Sequence, residues 1–269
     1  SFAKNSSGGT LIEIEEVKMM VSRTEAIKNS NAGNISLEKM PGHWVLAKLG
    51  KRVLRPGGLY LTHQLLEGLN IQKDDHVVEF APGLGMTAQL VVKKEPATYI
   101  AIEKDEKAAK SVSDLLHKPQ YECHLADALD TGLEDGHATV VYGEAMLTMQ
   151  TEQQKRKIIR EAHRLLRRGG RYAVHEIALT DEAQQPEIRR LIRQDLSTTI
   201  HHGVNPLTMN EWKDLLQEEG FQVEKIETAP MALLEMKRVI QDEGVWRSIM
   251  ILLRLLVNPV ARKRVREMR

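Results

Sequence analysis

The chain predicts an α/β fold built on a doubly wound, mostly parallel sheet, and three features of its 269 residues carry that prediction. From Val45 to Ile226, short apolar runs alternate with amphipathic helical stretches, as a succession of βαβ units requires. The run Val77-Val78-Glu79-Phe80 is cut off by Pro82, Gly83 and Gly85, the mark of a strand tip that opens onto a loop. A later run, Ala138 to Tyr142, is apolar enough to lie at the centre of a parallel sheet.

Residues 1 to 10 are rich in Ser, Gly and Asn, and Leu11 to Met20 mixes apolar and acidic residues without a clean period. Between Ile35 and Leu54, the positions of Leu37, Met40, Trp44, Leu46, Leu49 and Val53 suggest short helices broken at Pro41-Gly42. The turn Arg55-Pro56-Gly57-Gly58 closes them. Tyr60 to Leu69 is an amphipathic helix with Leu61, Leu65, Leu66 and Leu69 on one face. The first strand and its glycine turn follow, then a helix beginning near Met86 and a second strand, Tyr99 to Ile102, that stops at Glu103. Asp105 caps the next helix, whose apolar face is Ala108, Ala109, Val112, Leu115 and Leu116. A third strand runs from Tyr121 to Leu125 and the fourth from Ala138 to Tyr142. Thr151 and Gln154 make a capping box for a helix that stops at Gly169-Gly170, and the fifth strand is Tyr172 to Ile177.

A polar helix, Glu187 to Ile200, and the string His201-His202-Gly203-Val204-Asn205 then interrupt the alternation. Thr208 and Glu211 open a helix that Gly220 ends, ahead of a predicted strand Phe221 to Ile226. Residues 229 to 269 read as helical. Within them, Val245 to Val257 combines Trp246, Ile249, Met250, Leu252, Leu253 and Leu256 with Arg247 and Arg254, and Arg262, Lys263, Arg264 and Arg266 come behind. A basic amphipathic helix of this kind can make peripheral contact with an anionic membrane or bind a partner. The expectation here is that it covers the domain's own core. The chain thus divides into an N-terminal extension with helices (1–58), a core (59–228) with an insertion at about 180–206, and a C-terminal helical segment (229–269).

Lys plus Arg at 38 against Asp plus Glu at 37 leaves a net charge of +1, so the balance calls for no nucleic acid. Aromatic residues, at 4%, are too few for a base-stacking surface. The lone Cys123 excludes an intramolecular disulfide framework and a cysteine zinc cluster, and it fits a reducing cytoplasm. No apolar run reaches the roughly 18 residues of a spanning helix, and Ser1 to Thr10 has no signal-peptide character. A cytoplasmic protein is expected. No His-x-x-His or His-Glu-x-x-His spacing occurs, so no metal site is expected. A Gly-Lys-Ser/Thr phosphate loop and a Gly-x-Ser-x-Gly elbow are absent too, which sets aside an ATPase and an esterase.

Function centres on residues 76 to 105. Gly83 and Gly85 let the backbone turn sharply and approach a bound molecule, while the helix from Met86 aims free N–H groups at the same spot. Glu103, at a strand end, is placed to accept hydrogen bonds from a ribose diol. Gly83-x-Gly85-x-x-Ala88 also satisfies the relaxed dinucleotide fingerprint, so the glycines alone do not choose the nucleotide. Glu79 does. A carboxylate just ahead of the loop repels a pyrophosphate and attracts an ammonium or sulfonium cation, and S-adenosylmethionine has both.

The string Glu79-Phe-Ala-Pro-Gly83-Leu-Gly85 resembles the acidic-x-Gly-x-Gly-x-Gly motif of the class I, Rossmann-like S-adenosylmethionine-dependent methyltransferases, of the small-molecule type. Ala81 stands in for the first glycine, and Glu103 matches the second acid. The resemblance covers about residues 75 to 180. It implies S-adenosylmethionine as cofactor, methyl transfer to a small-molecule acceptor, and a helical lid within 1–58. The cofactor site it implies comprises Arg55, Gly58, Glu79, Ala81, Pro82, Gly83, Gly85, Glu103, Lys104, Asp127, Ala128, Gly143 and Glu144. In that set Arg55, with Gly57 and Gly58, touches the methionine carboxylate, and Asp127 meets the adenine amino group. The family completes its sheet with a seventh, antiparallel strand. No segment after Ile226 supplies one, so that strand is expected to be either truncated or replaced, for instance by an N-terminal stretch such as Leu11 to Val17.

The acceptor would lie over the ends of the fourth and fifth strands, bordered by Tyr142, Glu144, Met146, His175 and Glu176. Strand alternation sends one of His175 and Glu176 toward a helix layer and the other elsewhere. His175, Glu176, His201 and His202 are the candidates for catalysis, a base being needed only for hydroxyls, protonated amines or acidic carbons. Gly143-Glu-Ala-Met stands where the Asn/Asp-Pro-Pro-aromatic signature for amino groups of nucleobases or glutamine would be, which favours a small molecule. Two other readings stay open at this point, an NAD-dependent oxidoreductase and a non-catalytic cofactor-binding scaffold.

Overall fold

Five parallel strands form the centre of the computed structural model, in the order β3-β2-β1-β4-β5. They are β1 (His76–Phe80), β2 (Thr98–Glu103), β3 (Tyr121–Leu125), β4 (Ala138–Glu144) and β5 (Leu166–His175). The order reverses between β1 and β4, so the carboxyl ends of these two strands part around a crevice, the place where open α/β sheets bind ligands. The structure describes residues 42–51, 57–180, 183, 185–200, 203–230 and 235–267, all within the unit Met40–Arg269.

Helices cover both faces because strand residues alternate between them. On one face Val77, Tyr99, Ala101, Val140 and Tyr142 pack under α2 (Gly58–Leu69), α3 (Met86–Val92) and α4 (Glu106–Ser113), through Leu66, Leu69, Ala88, Val91 and Val112. On the other, Val78, Phe80, Ile100, Ile102 and Val141 pack under α5 (Glu152–Leu165) and α7 (Met209–Glu218). Ile158, Ile159 and Leu165 of α5 are fully buried, each contributing about 1.5–3 kcal/mol. The caps read from the sequence are present. Asp105 accepts from the Ala108 N–H at 2.8 Å, and Thr151 with Gln154 and Thr208 with Glu211 form reciprocal boxes.

Two element assignments change. The helix predicted to run to Gly169-Gly170 ends at Leu165, and the chain passes directly into β5. Ala138 pairs with Leu166 but Val140 already pairs with Arg171, so the intervening residues bulge outward and the two glycines serve the bulge instead of a helix cap. Phe221 to Ile226, predicted as a strand, forms none. Its period-2 pattern is spent on side-chain docking: the Phe221 ring packs 4.9 Å from Tyr172 and 5.3 Å from His163, while Ile226 is exposed. β5 therefore has no further neighbour in the sheet among the described residues. The proposed replacement strand, Leu11 to Val17, lies outside them.

After β5 come a short strand β6 (Ala178–Leu179), α6 (Pro186–Ile200) and β7 (Leu207–Thr208), the two strands pairing in a separate small sheet. The Trp212 indole N–H of α7 donates to the Ile177 carbonyl at 3.0 Å and fixes the exit of β5. Three further helices, α8 (Met236–Glu243), α9 (Val245–Val257) and α10 (Pro259–Glu267), pack against α2 and α1 (Gly42–Leu49). The expectation for α9 is reversed. Ser248 faces inward with Arg247, Ile251, Arg254 and Leu255 partly covered, while Trp246, Ile249, Leu253 and Leu256 face outward. The Arg254 guanidinium is the reason, since it reaches inward to the Leu49 carbonyl at 3.3 Å and caps α1.

Candidate active site

The loop after β1 is held open by positive backbone φ angles at Ala81 (52°), Gly83 (56°) and Gly85 (71°). Glycine tolerates this region freely, whereas alanine pays about 1–2 kcal/mol. At Ala81 the conformation is enforced by its N–H, which donates to the Ile102 carbonyl at 2.8 Å. A side-chain carbon on Gly83 would meet nothing within 4 Å, so the loop leaves an open cradle. One on Gly85 would strike Leu115 at 2.7 Å, which explains the glycine where α3 packs on α4.

Glu103 reaches that cradle. Its Oε2 accepts from the Gly83 N–H at 3.1 Å and its Oε1 from the Asp105 N–H at 3.0 Å. Each oxygen keeps a further lone pair, which suits a diol. Glu79 pairs with Ala101, two residues before Glu103, so both carboxylates project from the same face of the sheet. The Tyr99 and Tyr142 hydroxyls both donate to Glu79 Oε2, that of Tyr142 at 2.5 Å. Burial, and then the adjacent Glu79 charge, push both phenols well above their ordinary pKa. Two donors on one oxygen offset part of the cost of burying it.

A second buried carboxylate gathers the neighbouring strand ends. Glu144, closing β4, accepts from Thr62 of α2 at 2.7 Å, from Thr87 of α3 at 2.5 Å and from His175 Nδ1, closing β5, at 2.9 Å. A carboxylate only accepts, so Nδ1 donates in this pair and Nε2 is the nitrogen turned away from Glu144. That Nε2 is buried and meets no hydrogen-bond partner among the described residues. Gly57, at φ 74°, lies against it, and a side-chain carbon there would come within 3.3 Å.

Glu176 points the other way, as alternation requires. Both its oxygens are used: Oε1 accepts from the Met146 and Leu147 N–H groups, Oε2 from the Thr148 N–H and hydroxyl, at 2.6–2.9 Å. It holds the short turn at residues 147–149 that follows β4.

The remaining candidates fall around these. Asp127 is exposed after β3 and accepts from the Leu129 N–H at 3.0 Å, and Ala128 is buried in the core beside it. Lys104 is exposed, the Pro82 carbonyl accepts from the Gly85 N–H, and Gly143 packs against Phe80. At Gly58 the carboxylate of Asp242, from α8, occupies the N-terminus of α2 and accepts from the Leu59 N–H at 2.9 Å, with Lys51 3.4 Å away. Arg55, His201 and His202 lie outside the described residues. Thr62, Thr87 and Asp242 are absent from the sequence reading, and Tyr99 enters it only as a strand residue. Only the strand register and the α8–α2 contact bring them in, and neither has a local signal.

No group of three or more His, Cys, Asp or Glu side chains among the described residues is placed to hold a metal. The open cradle at Gly83, the Glu103 carboxylate beside it and the absence of a basic side chain in the loop fit an adenosyl sulfonium better than a diphosphate.

Comparison with known proteins agrees. Residues 78–174 match the model of a methyltransferase domain. An uncharacterized protein of Haemophilus influenzae is 33% identical over 215 residues, covering 78% of this chain and 84% of its own. A solved S-adenosylmethionine-dependent methyltransferase of Mesorhizobium loti superposes with a TM-score of 0.53 at 16% identity, over 61% of this chain and 82% of that one. The geranyl diphosphate C-methyltransferase of Streptomyces coelicolor, solved with S-adenosyl-L-homocysteine, gives 0.55 at 14% identity, over 72% and 71%. The chain therefore carries a methyltransferase domain over residues 78–174, on the Rossmann-like fold that it shares with solved class I S-adenosylmethionine-dependent methyltransferases.

Proposed function

We propose that the protein methylates a small molecule whose reacting group must first lose a proton, and that His175 is the base that removes it. The observation that carries this reading is the buried, unpartnered Nε2 of a histidine whose Nδ1–H is fixed on Glu144. Bound S-adenosylmethionine supplies an electrophilic methyl group. Gly83 and Glu103 hold the nucleoside end, and Glu79 supplies negative charge beneath the cation. The acceptor's proton passes to Nε2, and the charge that forms on the ring is met by the Glu144 carboxylate through Nδ1–H. Thr62 and Thr87 keep that carboxylate aimed. Glu176 positions the turn over the sheet and leaves no lone pair for chemistry, so its part is to shape the site.

The test incubates the protein with methyl-labelled S-adenosylmethionine and a fractionated cell extract. Label in the small-molecule fraction supports the reading, and label confined to protein or nucleic acid overturns the acceptor class. Calorimetric titration separates the oxidoreductase reading, which requires tight NAD binding without S-adenosylhomocysteine binding.

A further inference from the structure

We infer that the outward face of α9 is a docking surface for an anionic membrane. Every exposed position of this helix is apolar. Trp246 is 73% exposed, Leu253 50% and Val257 80%, with Ile249 and Leu256 between them. A continuous apolar face turned to solvent is rare on a soluble domain and marks a contact surface. The arginines that would make the helix an ordinary amphipath point inward, Arg254 being spent on the Leu49 carbonyl. The basic charge lies instead at the far end, where α10 exposes Arg262, Lys263 and Arg266.

Charge selects the occupant. No acidic residue occurs from Gly244 to Arg266, so this stretch brings no negative charge to the face. A second copy of the same face would bring these cations no acidic partner. An anionic bilayer takes the apolar side chains at its interface and neutralises the cations. Trp246 sits at the start of the helix, where an indole prefers the headgroup level. No described helix is long and apolar enough to cross a membrane, so the contact is peripheral.

The experiment is flotation of the full chain with vesicles of mixed phosphatidylglycerol and phosphatidylcholine, against vesicles of phosphatidylcholine alone. The expected result is capture by the anionic vesicles only, weakened by salt, with a blue-shifted tryptophan emission that Trp246→Leu removes. Lys263→Ala should weaken partitioning about fivefold and Leu253→Glu roughly tenfold or more. Both positions are exposed, so neither variant disturbs the core, and retained S-adenosylhomocysteine binding checks that. Equal capture by neutral vesicles overturns the inference. So does a solution dimer that Leu253→Glu dissociates in a protein that ignores vesicles, and so does a monomer that binds neither.

Discussion

Glu103 offers the most direct test of the cofactor site, because its hydrogen bonds can be counted. Its two oxygens offer about four lone-pair sites; Gly83 N–H takes one on Oε2 and Asp105 N–H one on Oε1, leaving one on each for a ribose diol. Glu103→Ala removes both ligand bonds and releases the Gly83 N–H, which loosens the loop that faces the nucleoside. Charge-assisted bonds of this kind are worth about 1.5–3 kcal/mol each, so the loss of even one should raise the dissociation constant of S-adenosylhomocysteine about tenfold to 150-fold, and the loss of both by more. Glu103→Gln should fall close to the alanine variant, since an amide nitrogen turned toward Gly83 N–H sets donor against donor. Isothermal titration calorimetry reads the affinity, and thermal unfolding of the unliganded variant checks that the loop survives. A folded Glu103→Ala protein with an unchanged dissociation constant would refute the assignment of this carboxylate to the ribose.

Other expectations follow from the buried carboxylates. Tyr142→Phe should cost about 1.5–3 kcal/mol in urea unfolding. The double variant with Tyr99→Phe should cost more than the sum of the singles, because both hydroxyls meet one oxygen and the second loss strands a buried charge; simple additivity would contradict this. Glu144→Gln and His175→Gln should each lower kcat by about 100-fold to 10,000-fold while leaving S-adenosylhomocysteine affinity within a factor of about three; a variant with full turnover would remove His175 from the chemistry. Burial alone would raise the Glu161 pKa, but the Arg164 guanidinium and Thr131 outweigh it and hold it at about 2, against an ordinary 4.5. A depressed carboxylate contributes stability that is present above the ordinary value and lost as pH falls toward about 2. Arg164→Ala should therefore flatten the stability loss between those values, and an unaltered acid-unfolding profile would count against it.

The elements that bring Glu79, Gly83, Gly85 and Glu103 together were legible in the sequence and the hub at Glu144 was not, for a physical reason. Glu79, Gly83, Gly85 and Glu103 belong to one strand-turn-helix-strand unit, where period, glycine and strand-end acid are all local signals. The hub at Glu144 is assembled from α2, α3, β4 and β5, and its spacing depends on which strands become neighbours. His175 and Glu176 illustrate the limit. Alternation predicted that they would diverge, yet only the structure tells which of them turns toward Glu144. The strand expected at Phe221 to Ile226 failed for a related reason, since a period of two records which side chains are covered, and rings stacking on Tyr172 cover Phe221 without any ladder. In α9 the pattern was read correctly as amphipathic and oriented wrongly, because the inward pull of Arg254 on the Leu49 carbonyl has no trace in hydropathy.

The carboxylate of Asp242 has an effect on ligand choice. The positive pole of α2 is already satisfied from within the chain, at Leu59 N–H, by a side chain that is itself buried and accompanied by Lys51. A molecule bearing its own acid group finds no vacant anion seat there and gains entry only by evicting Asp242. The turn at Gly57-Gly58 therefore gives the methionine carboxylate expected there no free helix terminus to bind, and an acidic acceptor on the side of His175 would meet the same Asp242 charge.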